Sequence, residues 1–91
     1  MFTSELIIAN ACEVACLQVE EWNAKTAEAA ELRTIVVRWL YDYGMSEREI
    51  ARLFGWSQQR VHERKACLKS SWRMRATAQA FAERMKVFAT I

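Results

Sequence analysis

The sequence lacks proline altogether and contains only two glycines, Gly44 and Gly55, among its 91 residues. Proline breaks helices and glycine weakens them, so the residues that most often interrupt a helix are nearly absent. Alanine, glutamate, arginine and leucine, which favour helices, are abundant. The composition therefore predicts an all-α fold of about five helices, in which the two glycines mark sharp turns.

The sequence also lacks the side chains on which most enzymes depend. His62 is the sole histidine, no glycine-rich phosphate loop is present, and the acidic residues are expected mostly on helix surfaces. Cys12, Cys16 and Cys67 are an odd number, so we interpret them as small buried apolar residues rather than a disulfide framework. A metal site would need more ligands than Cys12 and Cys16 supply. We therefore expect no catalysis, no metal and no cofactor.

Long apolar runs are absent as well. No stretch approaches the roughly 18 apolar residues needed to cross a bilayer, and the N-terminus lacks the pattern of a secretion signal. We therefore expect a cytoplasmic protein without membrane association. The length predicts one domain, residues 1–91. A domain of this size buries a limited share of its surface, so a partner subunit would supply additional burial.

Charged residues are unevenly distributed along the chain. The formal net charge is only +2, but residues 1–45 hold three basic and seven acidic side chains, whereas residues 46–91 hold ten basic and four acidic ones. Such a gradient is expected when one end of a small domain faces a polyanion, and also when a basic surface is simply solvated. Charge alone leaves both interpretations open.

An N-terminal helix is predicted within residues 1–24. It begins at Thr3 or Ser4 as its N-cap and continues to about Trp22. Its apolar positions cover more than one stripe, so the helix is either buried in the centre of the chain or shared with a second subunit. We take this helix as the candidate interface of a homodimer.

A second helix, over residues 26–43, is predicted to support the remainder of the fold. Thr26 is its expected N-cap, and its apolar residues recur with a period of about 3.6 residues. Gly44 ends it, because glycine readily adopts the left-handed conformation that follows a last helical turn.

Residues 71–90 are predicted to form a closing helix. Its apolar residues follow one another at spacings of about three and four, so we interpret their stripe as intramolecular core. The stripe comprises Met74, Ala78, Phe81, Met85 and Phe88. All four tryptophans are also interpreted as core residues. They are Trp22, Trp39, Trp56 and Trp72.

Between these helices, residues 46–69 are predicted to form a helix-turn-helix. Ser46 and Glu49 have the spacing of a capping box, which begins a short helix. Gly55 ends that helix, and Ser57 caps the next one, which continues to the end of the motif. The two chain glycines thus lie on either side of one short helix, so that the following helix can cross it.

The spacing within this motif is similar to that of known DNA-binding families. Ala51 lies four residues before Gly55 and Val61 lies six after it, as for a small residue at the helix crossing, a turn glycine and an apolar anchor. The stretch SEREIARLFGWSQQRV resembles the helix-turn-helix of the Trp-repressor-like group, which includes the C-terminal DNA-binding domain of the bacterial replication initiator. The likeness to that domain covers residues 33–88. The stretch is also similar to the promoter-reading C-terminal domain of sigma factors.

The motif predicts a small regulator of transcription that binds double-stranded DNA, of bacterial or phage type given its size. A homodimer is expected because one recognition helix covers few base pairs. The helix over residues 57–69 would read the major groove, and its first turn would reach base edges. The candidate base-reading residues are Gln58, Gln59, Arg60 and His62. The candidate phosphate contacts are Arg48, Arg52, Ser57, Arg64, Lys65, Lys69 and Arg73.

Sequence preference and function class are less constrained than the fold. The initiator domain has an Asp-His-Ser/Thr-Thr signature where this chain has Ser57, Gln58, Gln59 and Arg60, so the resemblance does not imply the origin sequence of the initiator. The same motif also occurs as a protein-docking element, in which case the chain would bind a transcription or replication protein. A third interpretation is the DNA-recognition subunit of a phage packaging machine, which would form a ring-sized oligomer.

Overall fold

The computed structural model describes residues 3–65 and 72–89 of the chain. Within these ranges it contains five α-helices and one short 3₁₀ helix, and no strand. The helices are α1 (Ser4–Ala15), α2 (Ala27–Tyr43), α3 (Glu47–Phe54), α4 (Gln58–Lys65) and α5 (Trp72–Ala89). The predicted all-α fold class is confirmed. None of the described helices combines the length and the apolar character that spanning a membrane requires.

The first helix is shorter than the sequence predicts. Thr3 is its N-cap, accepting a hydrogen bond from the Leu6 amide, but α1 ends at Ala15 rather than near Trp22. Cys16 terminates it in the left-handed conformation, with a φ of 58°. The chain then enters the separate 3₁₀ helix, Val19–Glu21, instead of extending α1.

This early end of α1 has a physical reason in the burial of Trp22. The reversal at Cys16 and the 3₁₀ helix turn the chain so that Trp22 reaches the core, where it is only 4% exposed. The same reversal leaves Cys16 exposed, which corrects the prediction that all three cysteines are buried. Cys12 is buried, and its burial raises the pKa of the thiol, with further contributions from Glu21 and Glu20. Cys67 lies outside the described residues.

The central helix of the fold is α2, which contacts each of the other four α-helices. Thr26 caps it as predicted, accepting from the Ala29 amide at 3.2 Å, and Gly44 ends it in the left-handed conformation. Its buried face includes Val36, Val37 and Leu40, all of them fully enclosed. The other four α-helices are therefore arranged around one central helix.

Two outer helices, α1 and α5, pack against each other as well as against α2. The buried side chains of α1 are Ile7, Asn10, Ala11 and Cys12. From α5, Phe81 and Met85 are fully buried, and Met74 and Ala78 pack on the core in part. The predicted stripe is thus intramolecular core for these four residues. The side chains of Phe88 and Trp72 lie outside the described ones.

A polar contact joins the same two helices. Arg84 of α5 donates hydrogen bonds to the side chain of Asn10 and, at 2.7 Å, to the carboxylate of Glu13. Because the most buried apolar side chains of α1 are used inside the chain, a homodimer through this helix would have to use its half-buried residues, such as Leu6 and Val14. The dimer itself stays a prediction.

The left-handed turn at Gly55 provides a test of the connection between α3 and α4. Gly55 has a φ of 71°, and a Cβ added there would meet no atom within 4 Å. The cost of Gly55→Ala therefore comes from backbone conformation, and we expect a loss of about 1–2 kcal/mol in the free energy of unfolding. Gly55→Asn should lose less, because asparagine tolerates the left-handed region. Urea unfolding of both variants measures the difference, and equal losses would contradict the assignment.

Candidate nucleic-acid interface

The two short helices α3 and α4 are fixed by their caps. The hydroxyl of Ser46 accepts from the Glu49 amide at 3.2 Å, and the Glu49 carboxylate accepts from the Ser46 amide at 3.2 Å. This is the predicted capping box. After the turn at Gly55, the hydroxyl of Ser57 accepts from the Arg60 amide at 3.1 Å and thereby begins α4. The start of α4 is consequently well defined relative to α3.

The described part of α4 is anchored on the core through Val61, its one buried residue. Ile50 and Ala51 of α3 belong to the same buried cluster. Because the helix is otherwise polar, its remaining side chains lie at or near the surface. Its first turn is uncovered: Gln58 and Gln59 are exposed.

The exposed polar side chains of α4 differ in their hydrogen-bond partners. The side-chain amide of Gln59 donates to the carboxylate of Glu63 at 3.2 Å, one turn along the same helix. Glu63 and His62 are also exposed. The amide of Gln58 has no recorded side-chain partner within the described residues. The start of α4 therefore presents amide groups of the type that hydrogen-bond base edges.

Arg60, also in the first turn, lies on an aromatic surface. Its guanidinium carbon is 4.5 Å from the ring centroid of Trp56. Trp56 in turn stacks on Phe54, with centroids 4.7 Å apart, and on Trp22, with centroids 6.1 Å apart and ring planes 10° from parallel. This cation–π contact restricts a long side chain that would otherwise sample many rotamers.

A buried arginine adds positive charge beneath α4. Arg33 of α2 is only 6% exposed, and it donates hydrogen bonds to the backbone oxygens of Trp22 and Ala24. Burial lowers the pKa of its guanidinium first, and the positive charges of Arg64 and Arg60 lower it further. Its Nε has no hydrogen-bond partner among the described atoms. The positive charges of Arg60 and Arg64 thus act on Arg33 from the neighbouring helix.

Arg33 was not among the site residues predicted from the sequence, although its position carried a signal. Arg33 lies three residues before Val36 and seven before Leu40, which places it on the buried face of α2. A charged residue on a core stripe is unusual unless it is paired, so the position itself indicated a special role.

Two other side chains of α4, Lys65 and His62, contact an acidic residue of α3. The same carboxylate oxygen of Glu47 lies 2.8 Å from Nζ of Lys65 and 2.9 Å from Nδ1 of His62. Lys65 also lies over the ring of Tyr41, 4.3 Å from its centroid. The hydrogen bond from Lys65 and then that from His62 hold the pKa of Glu47 below its ordinary value, and Glu47 raises the pKa of Lys65. His62 and Lys65 are therefore engaged within the protein.

The remaining predicted phosphate contacts are distributed over two helices. Arg48 and Arg52 are exposed on α3, one turn apart on the same face. Arg64 is half-buried on α4, near Arg33. The hydroxyl of Ser57 serves as a helix cap. Lys69 and the side chain of Arg73 lie outside the described ones.

A separate cleft of about 470 Å³ lies between α2 and α5. Its lining includes Trp39 and Met74 as well as Arg38 and Arg75, and it draws its residues from α2 and α5. Arg38 and Arg75 thus line a cleft to which no residue of α4 contributes.

Comparisons of the chain with protein-family models, with curated proteins and with solved structures found no match. The likeness to helix-turn-helix families stays a prediction from the motif. A functional assignment for this chain depends on the arrangement of its own side chains.

The ion pair at Glu47 predicts a pH-dependent contribution to stability. Because the pKa of Glu47 is lowered in the folded chain, its carboxylate stabilises the fold above the ordinary carboxyl pKa. This contribution is lost as the pH falls through the lowered value. We expect Glu47→Gln to have a lower thermal midpoint than wild type at neutral pH, and the difference to shrink and vanish in acid. Thermal unfolding followed by circular dichroism across this range measures it.

Glu28→Gln is the matched control, because Glu28 also lies in the first turn of its helix and no ion pair of it is recorded among the described residues. Its difference from wild type should stay small throughout. A Glu47→Gln difference that persists unchanged in acid would contradict the ion-pair assignment.

Proposed function

We propose that this chain is a small sequence-specific protein that binds double-stranded DNA and regulates transcription, and that it inserts α4 into the major groove. The observation that carries the proposal is the first turn of α4 after the Ser57 cap, in which Gln58 and Gln59 are exposed and Arg60 is half-buried on the ring of Trp56. The major groove is wide enough to admit an α-helix, and it displays a distinct donor and acceptor pattern for each base pair.

The side chains of that turn match the chemistry of base edges. A glutamine amide can hydrogen-bond N6 and N7 of adenine, and an arginine can donate two hydrogen bonds to O6 and N7 of guanine. Gln58, Gln59 and Arg60 therefore serve as the base-reading residues. His62 contributes less to base reading, because its imidazole is hydrogen-bonded to Glu47.

Phosphate contacts supply affinity and orientation in this proposal. Arg48, Arg52 and Arg64 are the principal phosphate-binding residues, since no ion pair of theirs is recorded within the described ranges. Lys65 contributes less, because its ammonium group is engaged by Glu47. Neutralising phosphates releases condensed counterions, so binding by these residues weakens as the salt concentration rises.

Fluorescence anisotropy with a random-sequence duplex tests the DNA contact. Wild type is expected to bind, and its affinity should fall steeply between low and moderate salt. Arg60→Ala combined with Arg64→Ala should bind roughly tenfold or more weakly, and the slope of log affinity against log salt should become shallower by about one unit for the lost phosphate contact of Arg64.

Arg38→Ala combined with Arg75→Ala is the matched control, because it removes the same charge from the cleft between α2 and α5. This pair should bind nearly as well as wild type. Equal losses in the two double variants would mean that net charge rather than α4 governs binding. Absence of duplex binding by wild type would overturn the proposal and favour a protein-docking role for α3 and α4.

We further propose that the chain acts as a homodimer, because one short recognition helix contacts few base pairs and two-fold pairing doubles the site. Light scattering on the protein with and without duplex should give twice the mass of one chain. Selection of bound duplexes from a random pool should yield a consensus with two-fold symmetry. A single-chain mass at micromolar concentration in both conditions would contradict the dimer.

A further inference from the structure

An aromatic stack made of Trp22, Phe54 and Trp56 connects the N-terminal part of the chain to α4. Trp22 follows the 3₁₀ helix, Phe54 is the last residue of α3, and Trp56 lies in the turn before α4. Trp56 is half-buried, with the rings of Trp22 and Phe54 and the guanidinium of Arg60 as its neighbours. The stack thus links the 3₁₀ segment, the end of α3 and the start of α4.

The base of the stack is firmly held. Trp22 is buried, its amide donates to the oxygen of Val19 at 3.1 Å, and its own oxygen accepts from the guanidinium of Arg33. The ring of Trp22 also contacts Phe54, with centroids 5.7 Å apart. Because Trp22 cannot shift without disturbing these contacts, it limits the positions open to the ring of Trp56.

We propose that Trp56, supported by Trp22, is the positioning residue that gives Arg60 its base specificity, and that the base read by Arg60 is guanine. This inference rests on the DNA-binding function proposed above. The segment between α1 and α2, which contains Trp22, would then contribute to sequence recognition. The resemblance to known families does not cover this segment.

The physical reason is preorganisation of the guanidinium. A contact with an aromatic face engages the charge of the guanidinium and leaves its N–H donors free, and no side-chain hydrogen bond of Arg60 is recorded within the described residues. Side-chain freedom that is lost before DNA arrives need not be lost on binding. Two donors in a fixed plane match the two acceptors O6 and N7 of guanine.

The neighbouring side chains favour Arg60 over the other candidates as the main source of specificity. Gln59 is hydrogen-bonded to Glu63 and His62 to Glu47, whereas no recorded side-chain contact fixes the amide of Gln58 in one orientation. No ion pair of Arg60 is recorded among the described residues, so no carboxylate competes there with DNA.

Selection from a random duplex pool, followed by affinity measurements on the selected duplex, tests the inference. In the wild-type consensus we expect a guanine whose replacement by adenine weakens binding at least tenfold. In Arg60→Lys and in Trp56→Leu, that discrimination should fall at least fivefold. Trp56→Phe should retain most of it. The salt dependence of Trp56→Leu should match that of wild type, because no charge changes.

Tyr41→Leu is the matched control. Tyr41 is an exposed aromatic residue that lies under another cation of α4, Lys65, at a similar distance. Because Glu47 also holds Lys65, removing this ring should leave the preference for guanine unchanged. Circular dichroism of each variant reports whether it folds, and Arg60→Lys leaves the aromatic stack in place should Trp56→Leu fail to fold.

The support from Trp22 is tested with Trp22→Phe in two backgrounds. This change shortens the ring that faces Trp56, so discrimination for guanine should fall in the wild-type background and not in the Trp56→Leu background. If Trp22→Phe weakened binding equally in the two backgrounds, a general loss of stability would account for its effect. That result would overturn the role of Trp22.

The two proposals fail in different ways. Wild-type protein that binds no duplex overturns both the DNA-binding function and this inference. Wild-type protein that selects a consensus, while Trp56→Leu keeps full discrimination for guanine, overturns only the inference. Loss of discrimination in Tyr41→Leu to the same extent as in Trp56→Leu overturns it as well.

Discussion

The anchoring of α4 through Val61 is the contact on which the candidate site depends. Val61 is fully buried, and the described remainder of α4 is polar. Burial of that one side chain fixes which face of the helix meets the core, and polar groups without partners cannot follow it inside. The uncovered first turn is therefore a direct consequence of a short helix that has one apolar anchor and a hydroxyl cap at Ser57.

The cations near α4 divide into two groups according to what lies next to them. Glu47 forms an ion pair with Lys65 and a hydrogen bond with His62, so the charge of Lys65 is compensated within the protein. Arg60 instead lies on Trp56, with Arg33 and Arg64 nearby. The positive charge of α4 is therefore compensated on one side and uncompensated on the other. Such a helix attracts an anion from one direction, and this would orient the protein on a DNA backbone.

Much of the local structure was predictable because it depends on short-range interactions. Thr26 and Ser46 act as the expected caps, and Gly44 and Gly55 adopt the expected left-handed conformation, since each of these depends on residues within one helical turn. The end of α1 was not predictable in the same way. Its cause is the burial of Trp22 against residues more than thirty positions away, which no local pattern encodes.

The sequence by itself determined the all-α class, the turns around α3 and the exposure of Gln58 and Gln59, because periodicity and capping chemistry act over a few residues. Only the tertiary structure decided which basic side chains of α4 lie next to a carboxylate and which lie next to an aromatic ring. Contacts between separate helices bring Glu47 to Lys65, Trp56 to Trp22 and Arg33 beneath α4. Ion pairs and ring contacts form only where the two groups come within a few ångströms of each other, so they depend on how the helices pack, and spacing along one helix does not reveal them.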